Sequence, residues 1–222
     1  VEQNNLLSLD DAIRKIHRPE KHSDWQAARE TLKFHEAFLL QATLLKRRAE
    51  NKHIKATPRI AGQGNQLAKF DASLPFTLTN GQVSVGQEIS EDLANSHPMN
   101  RLLQGEVGSG KTLVALRAML AVADSGGQSA MLAPTEVLAS QHYESIAKTL
   151  GHDLANELGL TLLTGQQNTA DRKRALLQIV SGKARLVVGT HALLGDKVEF
   201  YDLGLVVVDE QHRFGVDQRE TL

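Results

Sequence analysis

Cysteine is absent from the 222 residues. That excludes disulfides and thiolate metal sites, and it accords with a reducing, cytoplasmic compartment. No charge sign dominates: Lys+Arg number 25 and Asp+Glu 26, a formal net charge of −1. No global basic field therefore points to nucleic acid, and any such contact has to be local. No apolar run approaches the roughly 20 residues that span a bilayer, so no membrane partner is expected, and no signal peptide opens the chain. Internal repeats and low-complexity tracts are also missing. What remains, 41% hydrophobic residues against 23% charged ones, suffices for a real core: one globular domain with room for an appendage. The chain opens on Val1 rather than Met, as expected of a piece of a longer protein.

The most informative stretch is Gly105-Glu106-Val107-Gly108-Ser109-Gly110-Lys111-Thr112, which fits G-x-x-x-x-G-K-[ST]. A glycine-rich turn that opens a helix presents backbone N–H groups to an anion, and the helix dipole adds to their pull. Lys111 then reaches the β/γ-phosphates of a nucleotide and the Thr112 hydroxyl can hold Mg2+. The motif needs a strand before it and a helix after it. Arg101-Leu102-Leu103 reads as the strand. Leu113, Leu116, Leu120 and Ala121 recur at helical spacing, and Gly126-Gly127 supplies the stop.

Up to about Asn51 the chain reads as all-helical. Ser8 caps a short helix with Asp11 reaching back, Pro19 ends it, and Ser23 caps a long second helix. On that helix Ala28, Leu32, Leu39, Ala42 and Leu45 share one face, widened by Phe34 and Phe38. A basic run follows, with Lys46, Arg47, Arg48, Lys52, Lys55 and Arg59 against Glu50 alone. It suits a solvated helix end better than a phosphate contact, since cations favour helix C-termini anyway. Pro58, Gly62 and Gly64 mark a linker.

After Phe70 strands and helices alternate. Apolar runs at 129–133, 160–163, 186–188 and 205–208 read as strands buried on both faces, with helices near 136–150 and 170–180 between them. The pattern predicts an α/β fold, a parallel sheet flanked by helices, behind an N-terminal helical extension. We divide the chain into residues 1–70, a helical segment, and residues 71–222, the nucleotide-binding domain. Ligands of such sheets sit at the C-terminal strand ends. There stand Gly105, Pro134-Thr135, Gly189-Thr190-His191 and Asp209-Glu210.

Asp209-Glu210 closes an apolar strand. Downstream of a phosphate loop, Asp209 can hold Mg2+ directly or through water, and Glu210 can orient and deprotonate an attacking water. That pairing points to hydrolysis rather than phosphoryl transfer. Gln82 has a planar amide able to pair with an adenine edge, and Phe76 could line the base. However, Thr79-Asn80-Gly81-Gln82 is equally a capping box, and spacing alone does not choose between the two roles.

The order of these motifs resembles the RecG family of superfamily II DNA helicases. The likeness runs from Leu74-Pro75-Phe76 and Gln82 through 99–112, Ala133-Pro134-Thr135 to His142, and Val188-Gly189-Thr190-His191, to Asp209-Glu210-Gln211-His212-Arg213-Phe214. Phe34-His35-Glu36-Ala37-Phe38 is similar to the segment between that family's wedge domain and its motor. The resemblance implies a P-loop, RecA-like fold acting with ATP and Mg2+ on branched DNA. It implies an adenine-reading Gln82 beside Phe76, and a phosphate cradle of Gly105, Gly108, Ser109, Gly110, Lys111 and Thr112. Thr112 and Asp209 would take the metal and Glu210 the base role. DNA contacts fall to Pro134, Thr135, Thr190 and His191, and coupling to the γ-phosphate falls to His212. It also implies that a wedge domain and a second RecA-like lobe lie outside this chain, so that its residues alone would turn over ATP barely, if at all. A transcription–repair coupling factor is the nearest alternative, disfavoured by Gln211. A P-loop phosphotransferase and an interaction module with a vestigial loop stand further off.

Overall fold

The computed structural model describes residues 6–51, 53–62, 65–195 and 198–210. The chain divides into two compact units, residues 1–55 and residues 56–222. Arg59 and the helix Gln66–Ser73 belong to the second unit through contacts described below.

In the first unit α1 (Leu9–His17) packs on α2 (His22–Asn51). Ser8 caps α1 as expected: its hydroxyl oxygen accepts from the Asp11 N–H and its O–H meets the Asp11 carboxylate at 2.7 Å. Ser23 does not cap α2. The helix already begins at His22, and the Asp24 carboxylate reaches back to the Lys21 N–H at 3.3 Å. Within this unit the apolar face of α2 is covered over its first turns only. Ala28 and Thr31 are buried, whereas Phe38, Leu39 and Leu45 are exposed. The reason is length: nine residues of α1 reach roughly 14 Å along a helix of about 45 Å.

The second unit is built on a parallel sheet. Among the described residues its strands are β1 (Gln128–Leu132), β2 (Thr161–Leu163), β3 (Leu186–Gly189) and β4 (Leu203–Val208), in the order β2-β3-β1-β4. All pairings are parallel, as the alternation with helices requires. Side chains alternate between faces. Met131, Ala133, Leu186 and Val188 meet α5 (Lys111–Asp124) and α6 (Glu136–Glu157) on one face. Ala130, Leu132, Leu163 and Val187 meet α7 (Thr169–Val180) on the other. β1 and β3 are buried throughout, as read from their composition, while β4 is mostly half-buried because it has one neighbour in this sheet.

Arg101-Leu102-Leu103 forms no strand. Leu102 is exposed, and Leu103 packs on Ile89, Leu93 and Val114 of α4 (Asn80–Leu93) and α5 instead of joining the sheet. Arg101 is held to α4 by two carboxylates, Glu88 at 2.6 Å and Asp92 at 2.7 Å. α5 stops where the glycines predicted. Gly126, at φ 86°, closes the helix with bonds from Gly126 N to Ala123 O and Gly127 N to Val122 O, a Schellman ending.

α3 (Gln66–Ser73) is tied to α5 at both ends. Its first N–H groups, those of Gln66 and Leu67, are accepted by the buried Asp124 carboxylate at 2.7 and 3.2 Å. Asp71 makes a bidentate pair with Arg117. Arg59, read in sequence as part of a solvated basic run, is only 7% exposed and grips Asp202 through both terminal nitrogens. It lies against Gly127 and Gly204, where a Cβ would meet its guanidinium at 2.7 Å.

Candidate nucleotide site

The turn from α5 into β1 is short, so the helix runs antiparallel to the strand beneath it. Its N-terminus therefore lies at the C-terminal edge of the sheet, the edge at which Thr135, Thr190 and Asp209 follow their strands. Gly110 caps α5 with no side-chain hydrogen bond. The first N–H groups of the helix thus remain available to an anion.

Both conformations that open the loop need glycine. Gly108 has φ 84° and Gly110 φ 82°, in the left-handed region. Ser109 N–H turns back to Glu106 O at 3.2 Å. Lys111 Nζ donates to two carbonyls of the loop, Gly105 O and Glu106 O, each at 2.8 Å. Those carbonyls hold the ammonium over the loop, where an incoming phosphate would replace them as the stronger acceptor. Thr112 is exposed one residue further along.

Gln82 belongs to this loop as well as to its own helix. Thr79 and Gln82 form a reciprocal capping box, with Thr79 N–H donating to Gln82 Oε1 at 3.0 Å and Gln82 N–H to Thr79 Oγ1 at 3.3 Å. The amide nitrogen serves the loop: Nε2 donates to Ser109 O at 3.1 Å. Any Cβ at Gly110 would collide with that Nε2. The capping role read from the spacing is thus real, and it leaves Nε2 on the loop backbone. Phe76 is 53% exposed and has no ring partner among the described residues.

Asp209 follows β4, its N–H on Leu132 O at 2.9 Å. Its Oδ2 lies 2.7 Å from Nε2 of His142, on α6. The sequence pattern alone gives His142 no role of its own. The available signal was its place on the apolar stripe of α6, after Ala139 and before Ile146. Glu210 follows with φ 52°, in the left-handed region that non-glycine residues seldom adopt. Among the described residues no group of three His, Cys, Asp or Glu side chains is arranged to hold a metal. The predicted ligands, the Asp209 carboxylate and the Thr112 hydroxyl, offer hard oxygens of the kind Mg2+ binds.

The other predicted residues divide. Thr135 is exposed and caps α6, accepting from Leu138 N–H at 3.3 Å; Pro134 is half-buried and His191 exposed. Thr190 is 1% exposed and its hydroxyl accepts from Ala192 N–H, so that side chain shapes the turn at His191–Leu194 instead of facing outward. Gln211 and His212 lie outside the described residues. Among those described, no helix is long and apolar enough to cross a membrane.

A family model described as DEAD/DEAH box helicase matches residues 81–222. Over 231 aligned residues the chain is 48% identical to a protein of Mycobacterium leprae named ATP-dependent DNA helicase RecG, covering 99% of this chain and 31% of that one. It is 46% identical to a protein of the same name from Synechocystis sp., covering 26% of it. A solved structure described as RecG bound to a three-way DNA junction superposes with a TM-score of 0.84 at 39% identity, over 96% of this chain and 29% of that one. The chain spans about a third or less of the length of these relatives.

Proposed function

Because the chain belongs to the DEAD/DEAH box helicase family, we propose that it is the ATP-binding lobe of a DNA motor of the RecG kind, one that couples ATP hydrolysis to remodelling branched DNA. The observation that carries the reading is the uncapped start of α5 with Lys111 folded over its loop and Gln82 hydrogen-bonded to it. A phosphotransferase reading does not survive the family match, and the RecG likeness over 99% of the chain favours that family over a coupling factor.

Within this reading the α5 N–H groups and Lys111 Nζ take the β/γ-phosphates. Gln82 reads the adenine edge with the amide atoms its capping bonds leave available, and Phe76 lines the base. Mg2+, held by Thr112 and Asp209, would offset phosphate charge when bound. Glu210 accepts the proton of the attacking water. Thr135, Pro134 and His191 present the DNA-facing surface at the same sheet edge; Thr190 supports it from beneath. His212 is proposed as the coupling residue.

Nucleotide titration with Lys111→Ala tests the assignment. Removing a charge-assisted donor is expected to weaken ATP binding about 10- to 100-fold. Unchanged affinity would remove the phosphate-loop reading. In the longer protein, a branched junction is expected to stimulate ATP turnover more than linear duplex, and equal stimulation would count against the remodelling role.

A further inference from the structure

α6 turns one stripe to the sheet, carrying Ala139, Ile146 and Leu150 into the core. His142 falls on that stripe by helical spacing. Its side chain is 19% exposed, yet its Nε2 meets a carboxylate, Asp209 Oδ2, at 2.7 Å. A polar ring in such a place costs stability unless a partner satisfies it. An ionised carboxylate can only accept, so Nε2 carries the hydrogen of this bond.

The contact joins two elements that no ladder joins. β4 pairs with β1 alone among the described strands, and the Asp209 main chain is held through one bond to Leu132 O. That bond sets the backbone but not the side-chain torsions of Asp209, and the His142 ring is the described group that sets those. His142 itself is firmly placed. α6 is unbroken from Glu136 until Gly151, where φ is 75° and ψ 164°, and Ala139 and Ile146, flanking His142, are buried. A carboxylate aimed by a ring on a packed helix is the arrangement by which outer groups orient a metal ligand.

We propose that His142 is a positioning residue of the nucleotide site. Its Nε2 holds Asp209 Oδ2 and so presents Oδ1 to the Mg2+ of the nucleotide. The inference rests on the ATP-site reading above and goes beyond it in assigning His142.

The test is binding of a non-hydrolysable ATP analogue to the full-length protein, once with excess Mg2+ and once with EDTA. His142→Leu keeps the volume and suits the apolar stripe; His142→Asn is a second disrupting variant, with an amide too short to reach Oδ2. Each is expected to lose about 10-fold in affinity with Mg2+ and nothing in EDTA. His142→Gln, with an N–H of similar reach, is expected to recover most of the Mg2+ effect. A wild-type Mg2+ effect in the Leu and Asn variants would overturn the proposal. So would an equal loss in both buffers, which marks a purely structural contact, or a Gln variant no better than Leu. Lys111→Ala separates the two layers of inference. If it leaves affinity intact in both buffers the ATP-site reading fails, whereas if it abolishes binding while His142→Leu behaves as wild type, only the role of His142 fails.

Discussion

Arg59 shows how far a single side chain departs from its sequence neighbourhood. It closes a basic run, yet its guanidinium is buried and forked onto Asp202. The Arg59 hydrogen bonds hold the Asp202 carboxyl below its ordinary range, against the opposing effect of burial. Arg59→Ala is expected to cost roughly 2–3 kcal/mol, below the range for breaking a fully buried pair, because Asp202 is 40% exposed. The pH dependence has a definite sign. A carboxylate with a lowered folded-state pKa contributes stability that is complete above the unfolded value, about 3.9, and is lost as pH falls through the folded one. Denaturant midpoints of wild type and Arg59→Ala should therefore differ fully at pH 7 and converge progressively below pH ~4. A gap that persisted undiminished into strong acid would show that packing against Gly127 and Gly204, not charge, is what Arg59 supplies.

At the scale of elements, caps come from two sources. Ser8, Thr79, Thr135 and Asn168 cap their own helices through local side-chain bonds, and such caps can be read from a few consecutive residues. α3 has no local cap: Asn65 makes no side-chain cap bond, and Asp124 of α5 accepts both leading N–H groups. Asp124→Ala removes that cap and leaves those donors unpaired near a buried site, at a cost of about 1–3 kcal/mol. Asp124→Asn, which keeps one acceptor oxygen, should cost less. Chemical denaturation of the two variants checks the order, and equal losses would show that the charge matters more than the hydrogen bonds. α4 carries the functional counterpart. Its first turn places Gln82 on Ser109 O, and Glu88 and Asp92 further along grip Arg101, just ahead of the loop. One helix thus holds the loop from both sides.

For the whole molecule, the contacts divide at residues 55 and 56. Among the described residues, those from 56 on contain the sheet, the apolar clusters packed on it and the candidate site. Expressed without residues 1–55, they are expected to melt cooperatively and to bind ATP with the affinity of the full chain within about threefold, as contacts within the unit supply its core. A broad, non-cooperative melt would show that the first unit is needed for folding. The parallel α/β architecture, the α5 stop at Gly126 and the loop at Gly105–Thr112 were legible because each depends on neighbours in sequence: side-chain period, left-handed glycines, a motif of fixed spacing. The 101–103 strand was misread because its apolar pair suits a helix-packing segment as well as a strand, and only the available neighbours decide which. Three features required the folded chain: the placement of Arg59, the cap that Asp124 lends to α3, and the contact of His142 with Asp209. Their partners lie 143, 58 and 67 positions away. Sequence alone determined the class of fold and pointed to the class of ligand, since both are written in local pattern. Tertiary structure decided which polar side chains are satisfied and by whom, because burial penalises an unpaired polar group, and its partner is chosen by proximity in space.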